Sequence, residues 1–311
     1  MNQGWTYVNL VKPAEAGLSV LEFYTQRYRH SSRQDWADRI ARGHITLNDQ
    51  PTTAESRLQT GQTLAYWRSP WPEPQVPLTF STLYEDDLLW VVNKPSGLPV
   101  LPGGEFLEHT LLGQIRLRYP PPLPYPVHRL GRGTSGIVLL ARTAAARSEL
   151  CRQMRDRHIQ KTYRALVGPG PIPETFQINQ PIGRLPYPQL GFLYAATATG
   201  KPAQTQGTVI ERRSRSTLLE VNILTGRPHQ IRIHLASLGF PLLGDPIYGK
   251  GGLPKILNPP TTRLPCGPGE TGAKPSDLGY WLHAYQLGFC HPGSRKDLHL
   301  TCAPPPILEQ S

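Results

Sequence analysis

Residues 128–140 read HRLGRGTSGIVLL, and Gly131, Gly133 and Gly136 within that run fit the spacing G-x-G-x-x-G. Nucleotide-binding turns share this spacing, so the fold is decided by the element that the glycines lead into. A dinucleotide fold needs the turn to open a helix whose positive end faces the pyrophosphate. Here the next residues are Ile137-Val138-Leu139-Leu140, β-branched and apolar at successive positions, as in a strand covered on both faces. Glu149 stands near the spacing of a ribose-binding acid, but it falls inside a predicted helix, whereas that acid normally ends a strand. The glycines read as a loop that enters a strand.

Downstream of that strand, residues 143–158 predict a helix with Ala146, Leu150 and Met154 inward and Arg147, Arg152, Arg155 and Arg157 outward. Strand alternation returns at 161–167 and at LLEVNIL, 218–224. A second helix is predicted over 228–238, started by Pro228, ended by Gly239, with Ile231, Leu235 and Leu238 as its inward side. Upstream, LLWVVN at 88–93 reads as a strand that leads into the turn KPSG and a proline-rich loop.

The amino-terminal part has a different grammar. Residues 18–28 and 32–42 predict two short helices, the second opened by a capping-box pair, Ser32 and Asp35. Gly43 stops it, HITLN reads as a strand, and Asn48-Asp49 supplies a turn. Arg33, Arg39 and Arg42 form a basic face opposite Trp36 and Ile40; phosphate contact and plain solvation both fit that face. The run SPWPEPQVP, from Ser69, is a semi-stiff proline-rich spacer and marks a domain boundary.

The balance of 33 Lys+Arg against 22 Asp+Glu gives +11 over 311 residues, which favours a polyanionic partner. The four cysteines, Cys151, Cys266, Cys290 and Cys302, are far apart, so neither a zinc site nor a disulfide framework is indicated. No apolar run reaches membrane-spanning length and the amino terminus lacks the form of a secretory signal, so a cytoplasmic protein without membrane contact is expected.

Four segments in order resemble the RluA-type RNA pseudouridine synthases: YEDDLLWVVNKPSGLPVLP at 84–102, HRLGRGTSGIVLLAR from His128, TGRPHQIRIHLASLGFPLLGDPIYG at 225–249, and WLHAYQLGFCHP at 281–292. The amino-terminal unit resembles the small RNA-binding module often fused ahead of that core. The resemblance implies an α+β fold, a mixed and mostly antiparallel sheet with flanking helices and a central cleft, preceded by that small α/β module. The corresponding division is a module at 13–69, a linker at 70–77 and a synthase-like domain at 78–306.

The same resemblance implies isomerisation of uridine in structured RNA, ribosomal or transfer RNA, with no metal or other cofactor and by a monomer. The family's nucleophile is the aspartate of H-R-L-D, and that position here is Gly131, which has no side chain to attack with. The position two further on, often acidic as well, is Gly133. Tyr163 matches the tyrosine that lies against the uracil and is a candidate base for its carbon 5 proton; the alternative is an ordinary core aromatic. Arg232 matches the arginine that pairs with the nucleophile; alternatively it is a surface residue of its helix. With Gly131 in place of that partner, water, another carboxylate, or a phosphate or base edge of bound RNA must meet Arg232, and Asp245 and Asp86 are the first acids to consider. RNA contacts are implied at His128, Arg129, Arg132, Thr134, Lys94, Arg227 and His229, with Arg33, Arg39 and Arg42 in the small module. The alternative function is an RNA-binding protein that no longer isomerises. Residues 250–277, rich in Gly and Pro, read as an insertion beside the cleft that tunes the choice of RNA.

Overall fold

The structure, a computed structural model, describes residues 1–28, 31–187, 191–255 and 277–311. Most of the 250–277 segment and Cys266 therefore lie outside the described residues. The chain forms two compact units that meet in sequence at Glu73 and Pro74.

In the first unit, β1 (Trp5–Leu10), α1 (Val20–Arg27), α2 (Arg33–Ala41), β2 (Ile45–Leu47), β3 (Gln50–Pro51) and β4 (Thr63–Arg68) occur in that order. The strands form one sheet in the order β1-β4-β2-β3, antiparallel throughout. Both helices begin with a capping box, Ser19 with Glu22 and Ser32 with Asp35, which satisfies two otherwise orphaned N–H groups at each start. Asn48 and Asp49 both take positive φ in the turn between β2 and β3. Strand β1 lies ahead of residue 13, so the folded unit takes in chain that the sequence motifs leave outside the module. Trp36 and Ile40 are buried against Val20, Phe23 and Tyr24.

The second unit runs β5 (Ser81–Glu85), β6 (Leu89–Lys94), α3 (Leu111–Arg118), β7 (Tyr125–Pro126), β8 (Ser135–Ala141), α4 (Ala144–Arg155), β9 (Gln160–Val167), β10 (Thr175–Ile178), β11 (Ile182–Tyr187), β12 (Gly191–Ala196), β13 (Thr205–Arg212), β14 (Thr217–Ile223), α5 (Gln230–Ser237), β15 (Leu282–Cys290) and β16 (Asp297–Thr301). Among the described residues its large sheet has the order β10-β13-β14-β9-β15-β8-β6-β5, with β16 on β15 and β7 on β8. Among the described residues every pairing in it is antiparallel except β15 with β8, so the sheet is mixed and mostly antiparallel, as the resemblance implies. The glycine run does feed a strand: β8 is buried along nearly its whole length.

That one parallel pair positions the site. Parallel neighbours enter a sheet from the same edge, so the loop before β8 and the segment before β15 come together although they are distant in sequence. Ser135 is opposite His283 and Gly136 opposite Ala284. His283 Nε2 donates to the Cys302 carbonyl, leaving Nδ1 to accept from the Ser135 hydroxyl at 2.8 Å.

Helix α5 departs from its expected amphipathic form. Every residue from Gln230 to Ala236 is buried, because the β11–β12 hairpin covers the helix with Ile182 and Leu193 while Ile231 and Leu235 face the main core. His229 adopts φ +56°, so the helix starts at Gln230, two residues later than Pro228 suggests. Arg232 is therefore not a surface residue; it is 2% exposed. No helix among the described residues is long and apolar enough to cross a membrane.

Candidate active site

The loop before β8 is held by the turn at the end of β6. Gly97 N–H and Lys94 Nζ both donate to the Arg132 carbonyl, and Ser96 Oγ donates to the Gly133 carbonyl at 2.7 Å. Lys94 also donates to Pro95 and Leu98 carbonyls and is fully buried. Burial pulls its ammonium down to about 7, against a smaller upward pull from Asp277. Lys94 is thus a loop clamp and not the phosphate contact expected of it. Lys94→Met strips a donor from three carbonyls and is expected to cost about 2–4 kcal/mol in urea unfolding, from the desolvation of the acceptors it leaves. An unchanged midpoint would refute the clamp.

His128 is also structural. Its Nε2 accepts from Leu139 N–H at 3.1 Å, and burial, with a contribution from Lys161, brings it down to about 4, so it is neutral and turned into the fold. Thr134 is buried, its N–H donating to the Gly131 carbonyl and its hydroxyl bonded to the Tyr280 hydroxyl at 3.2 Å. Thr134 is not placed to touch RNA, which corrects one expected contact, while His128 stays half-buried. Arg129 is exposed, and Arg132 lies over the Phe106 ring at 5.3 Å. Arg227 Nε donates to the Pro202 carbonyl. His229 donates through Nδ1 to the Tyr248 hydroxyl, which in turn donates to the Tyr194 carbonyl. Burial and then the charge of Arg232 bring His229 down to about 4. In the first unit Arg33 and Arg42 are exposed, while Arg39 stacks on Trp36 at 4.4 Å and so does not stand opposite the packed side.

Arg232 is the centre of the cluster. Its Nε and Nη2 donate to the two oxygens of Asp245 at 2.8 and 2.9 Å, a bidentate pair with both partners buried. Its Nη1 donates to Asp277 Oδ1. The guanidinium lies 4.2 Å from the Tyr280 ring centroid and 5.1 Å from that of Tyr248. Burial pushes Asp245 up, but the bonds and charge of Arg232 and the Ile247 and Tyr248 N–H groups outweigh it and hold the carboxyl below its ordinary value. Burial pushes Tyr280 up to about 12, with help from Asp277.

Of the two acids the sequence nominates, Asp245 reaches Arg232 and Asp86 does not. Asp86 instead bonds Tyr84, His291 and the N–H groups of Leu88 and Leu89. Asp277 escapes sequence reasoning: it closes a stretch whose composition signals only a loop, and nothing local marks it as a partner of Arg232.

Tyr163 stands on β9 opposite Ala284, which is itself opposite Gly136 on β8, so the sheet register brings the phenol level with the glycine loop's exit. It is 8% exposed and shares a core with Ile231 and Tyr280. Burial raises it to about 12, so the ring is a neutral phenol at working pH, and the resting site gives it none of the help a proton-abstracting base needs. A cavity of about 350 Å³ lined by Glu149, Arg152, Gln153 and Arg295 shares no residue with this cluster. Its arginines are already paired with Glu149, whereas a larger cavity of about 620 Å³ is lined by Asp245 and Tyr248 of the Arg232 cluster.

Residues 88–237 match the family described as RNA pseudouridylate synthase. The chain is 52% identical over 289 residues to the uncharacterized RNA pseudouridine synthase slr1592 of Synechocystis sp. (strain ATCC 27184 / PCC 6803 / Kazusa), covering 93% of this chain and 95% of the relative. It is 35% identical over 277 residues to the ribosomal large subunit pseudouridine synthase D of Neisseria meningitidis serogroup B, covering 86% and 70%. In three dimensions it resembles human RNA pseudouridylate synthase domain containing 1, with TM-score 0.55, 24% identity and coverage of 76% and 88%, a likeness of fold. With relatives matched along nearly its whole length and their fold around the Arg232 cluster, the chain belongs to the RNA pseudouridine synthase family.

Proposed function

We propose that this isomerase converts uridine to pseudouridine in structured ribosomal or transfer RNA, acting as a cytoplasmic monomer. The observation that carries the reading is a buried arginine gripped by carboxylates and aromatic rings at the sheet edge where the glycine loop enters, with the Tyr163 ring two strands away from that loop's exit. A flipped nucleoside needs such a place: an apolar ring face for the base and fixed charge beside the sugar. The ribosomal target draws support from the Neisseria relative's name. The net charge of +11 and the exposed Arg33, Arg42 and Arg129 supply phosphate contacts. The binding-only reading rests on Gly131 alone.

The test is to incubate the purified protein with RNA from a strain that lacks it and map pseudouridine by mass spectrometry. New sites absent from the protein-free control are expected; none on any RNA fraction overturns the reading. Affinity for the same RNA should fall about tenfold or more between 50 and 200 mM salt as counterions are released. A flat salt response would deny the basic surface a part in binding.

A further inference from the structure

We propose that Asp277 is the catalytic carboxylate of this chain and acts in the space that a side chain at position 131 would otherwise fill. The assignment rests on the isomerase function proposed for the chain. Its first support is steric. A Cβ built on Gly131 would lie 3.1 Å from the Tyr280 hydroxyl, 3.5 Å from Thr134 Oγ1 and 3.7 Å from Asp277 Oδ2. A carboxylate carried by residue 131 and the carboxylate of Asp277 would therefore compete for one place.

The second support is the division of labour on Arg232. Asp245 is fully engaged: it is buried, both oxygens are held by the guanidinium, and Oδ1 also accepts from Ile247 and Tyr248 N–H. Asp277 gives Oδ1 to Arg232 and turns Oδ2 toward the Gly131 loop, with its side chain 26% exposed. Of the two acids on that arginine, only Asp277 has an oxygen open to a substrate.

The third support links the glycines to the acid. A Cβ on Gly133 would come within 2.9 Å of the Tyr280 ring and 2.5 Å of the Asp277 carbonyl, closer than real Cβ atoms approach. Glycine at 131 and 133 is thus the condition for residues 277–280 to lie against the loop. The parallel pairing of β8 with β15 brings that segment to the same edge. Loss of side chains on one strand's entry and the arrival of a carboxylate on the other's are one arrangement.

In the step assigned to it, Asp277 Oδ2 forms a bond to ribose C1′ as the C1′–N1 bond breaks and its electron pair passes to N1 of uracil. The base turns, C5 attacks C1′, and the carboxylate leaves with the C1′–O pair. The proton on C5 departs to solvent and N1 takes one up, so the exchange is an isomerisation with no net redox change. Arg232 is the positioning residue for that oxygen.

The experiment measures single-turnover pseudouridine formation on an RNA that the wild-type protein modifies. Asp277→Asn is nearly isosteric and is expected to keep the fold and RNA affinity while losing at least about a thousandfold in rate, as loss of a nucleophile does. Gly131→Asp alone crowds Tyr280 and sets two carboxylates together, so it should lower the rate; combined with Asp277→Ala it should recover activity that Asp277→Ala lacks. If Asp277→Asn does not fold, Asp277→Glu keeps the charge on Arg232 and displaces the oxygen, and a loss of about tenfold or more is expected. Wild-type activity in Asp277→Asn, or in Asp277→Glu where that is the variant read, overturns the assignment and leaves the family function standing. A wild-type protein that modifies no RNA overturns both.

Discussion

Arg232→Met is expected to lower stability by about 3–5 kcal/mol and to abolish pseudouridine formation, because it leaves a buried carboxylate uncompensated. The pH dependence makes the cause testable. In the native protein Asp245 is held below its ordinary value of about 4. Its contribution is therefore present above the unfolded value and lost as pH falls through the folded one. Without the guanidinium, only burial and two backbone N–H groups act on Asp245, and burial raises a carboxyl. The sign then reverses: the folded state holds the proton more tightly than the unfolded chain, and the variant gains stability as pH is lowered toward about 4 while the parent does not. Arg232→Met with Asp245→Asn removes the stranded charge and should recover part of the loss, with a clear coupling term in a double-mutant cycle. A variant that unfolds with the parent's pH profile would show that Asp245 does not depend on Arg232.

Local physics made much of this fold legible. The capping box at Ser32, the alternation of β9 and β14, and the apolar run after Gly136 each arise from a few adjacent residues, and each became the element they indicate. Helix α3 was hidden inside a proline-rich stretch, although Thr110 caps it and Leu111 and Ile115 are fully buried. The errors at the site share one cause. Lys94 and Thr134 are polar residues that the sequence assigns to RNA contact, and the fold buries them with hydrogen-bonding partners contributed from elsewhere, whereas Arg232 meets a carboxylate as the resemblance implies. Burial of a polar side chain depends on what covers it, and the cover here comes from β11–β12 and from the β6 turn. Asp277 is the extreme case. Its meeting with the Gly131 loop is a consequence of strand register between β8 and β15, which no stretch of neighbouring residues encodes.

That register yields the second large expectation, at Gly136. Gly136 has φ +104°, and a Cβ there would meet the backbone of Ala284 on the neighbouring parallel strand, 2.8 Å from its nitrogen. Gly136→Ala therefore combines a left-handed backbone with a steric overlap that no rotamer relieves, and the sheet must open between β8 and β15 to admit the methyl group. The strain term is about 1–3 kcal/mol and overpacking adds about 1–3 kcal/mol, so a total near 3–5 kcal/mol, or failure to accumulate as folded protein, is expected. Gly239 separates the two terms: its φ of +94° is comparable, yet nothing lies within 4 Å of its Cβ direction. Gly239→Ala should therefore show the backbone term alone. Urea unfolding of both variants, with amide exchange along β8 and β15, reads the difference. Equal losses would mean that the parallel contact is not tight, and the segment carrying Asp277 and Tyr280 would then have no fixed place beside the loop. A much larger loss at Gly136, with exchange accelerated in β15 as well as β8, would tie the integrity of the site to one backbone approach between two strands.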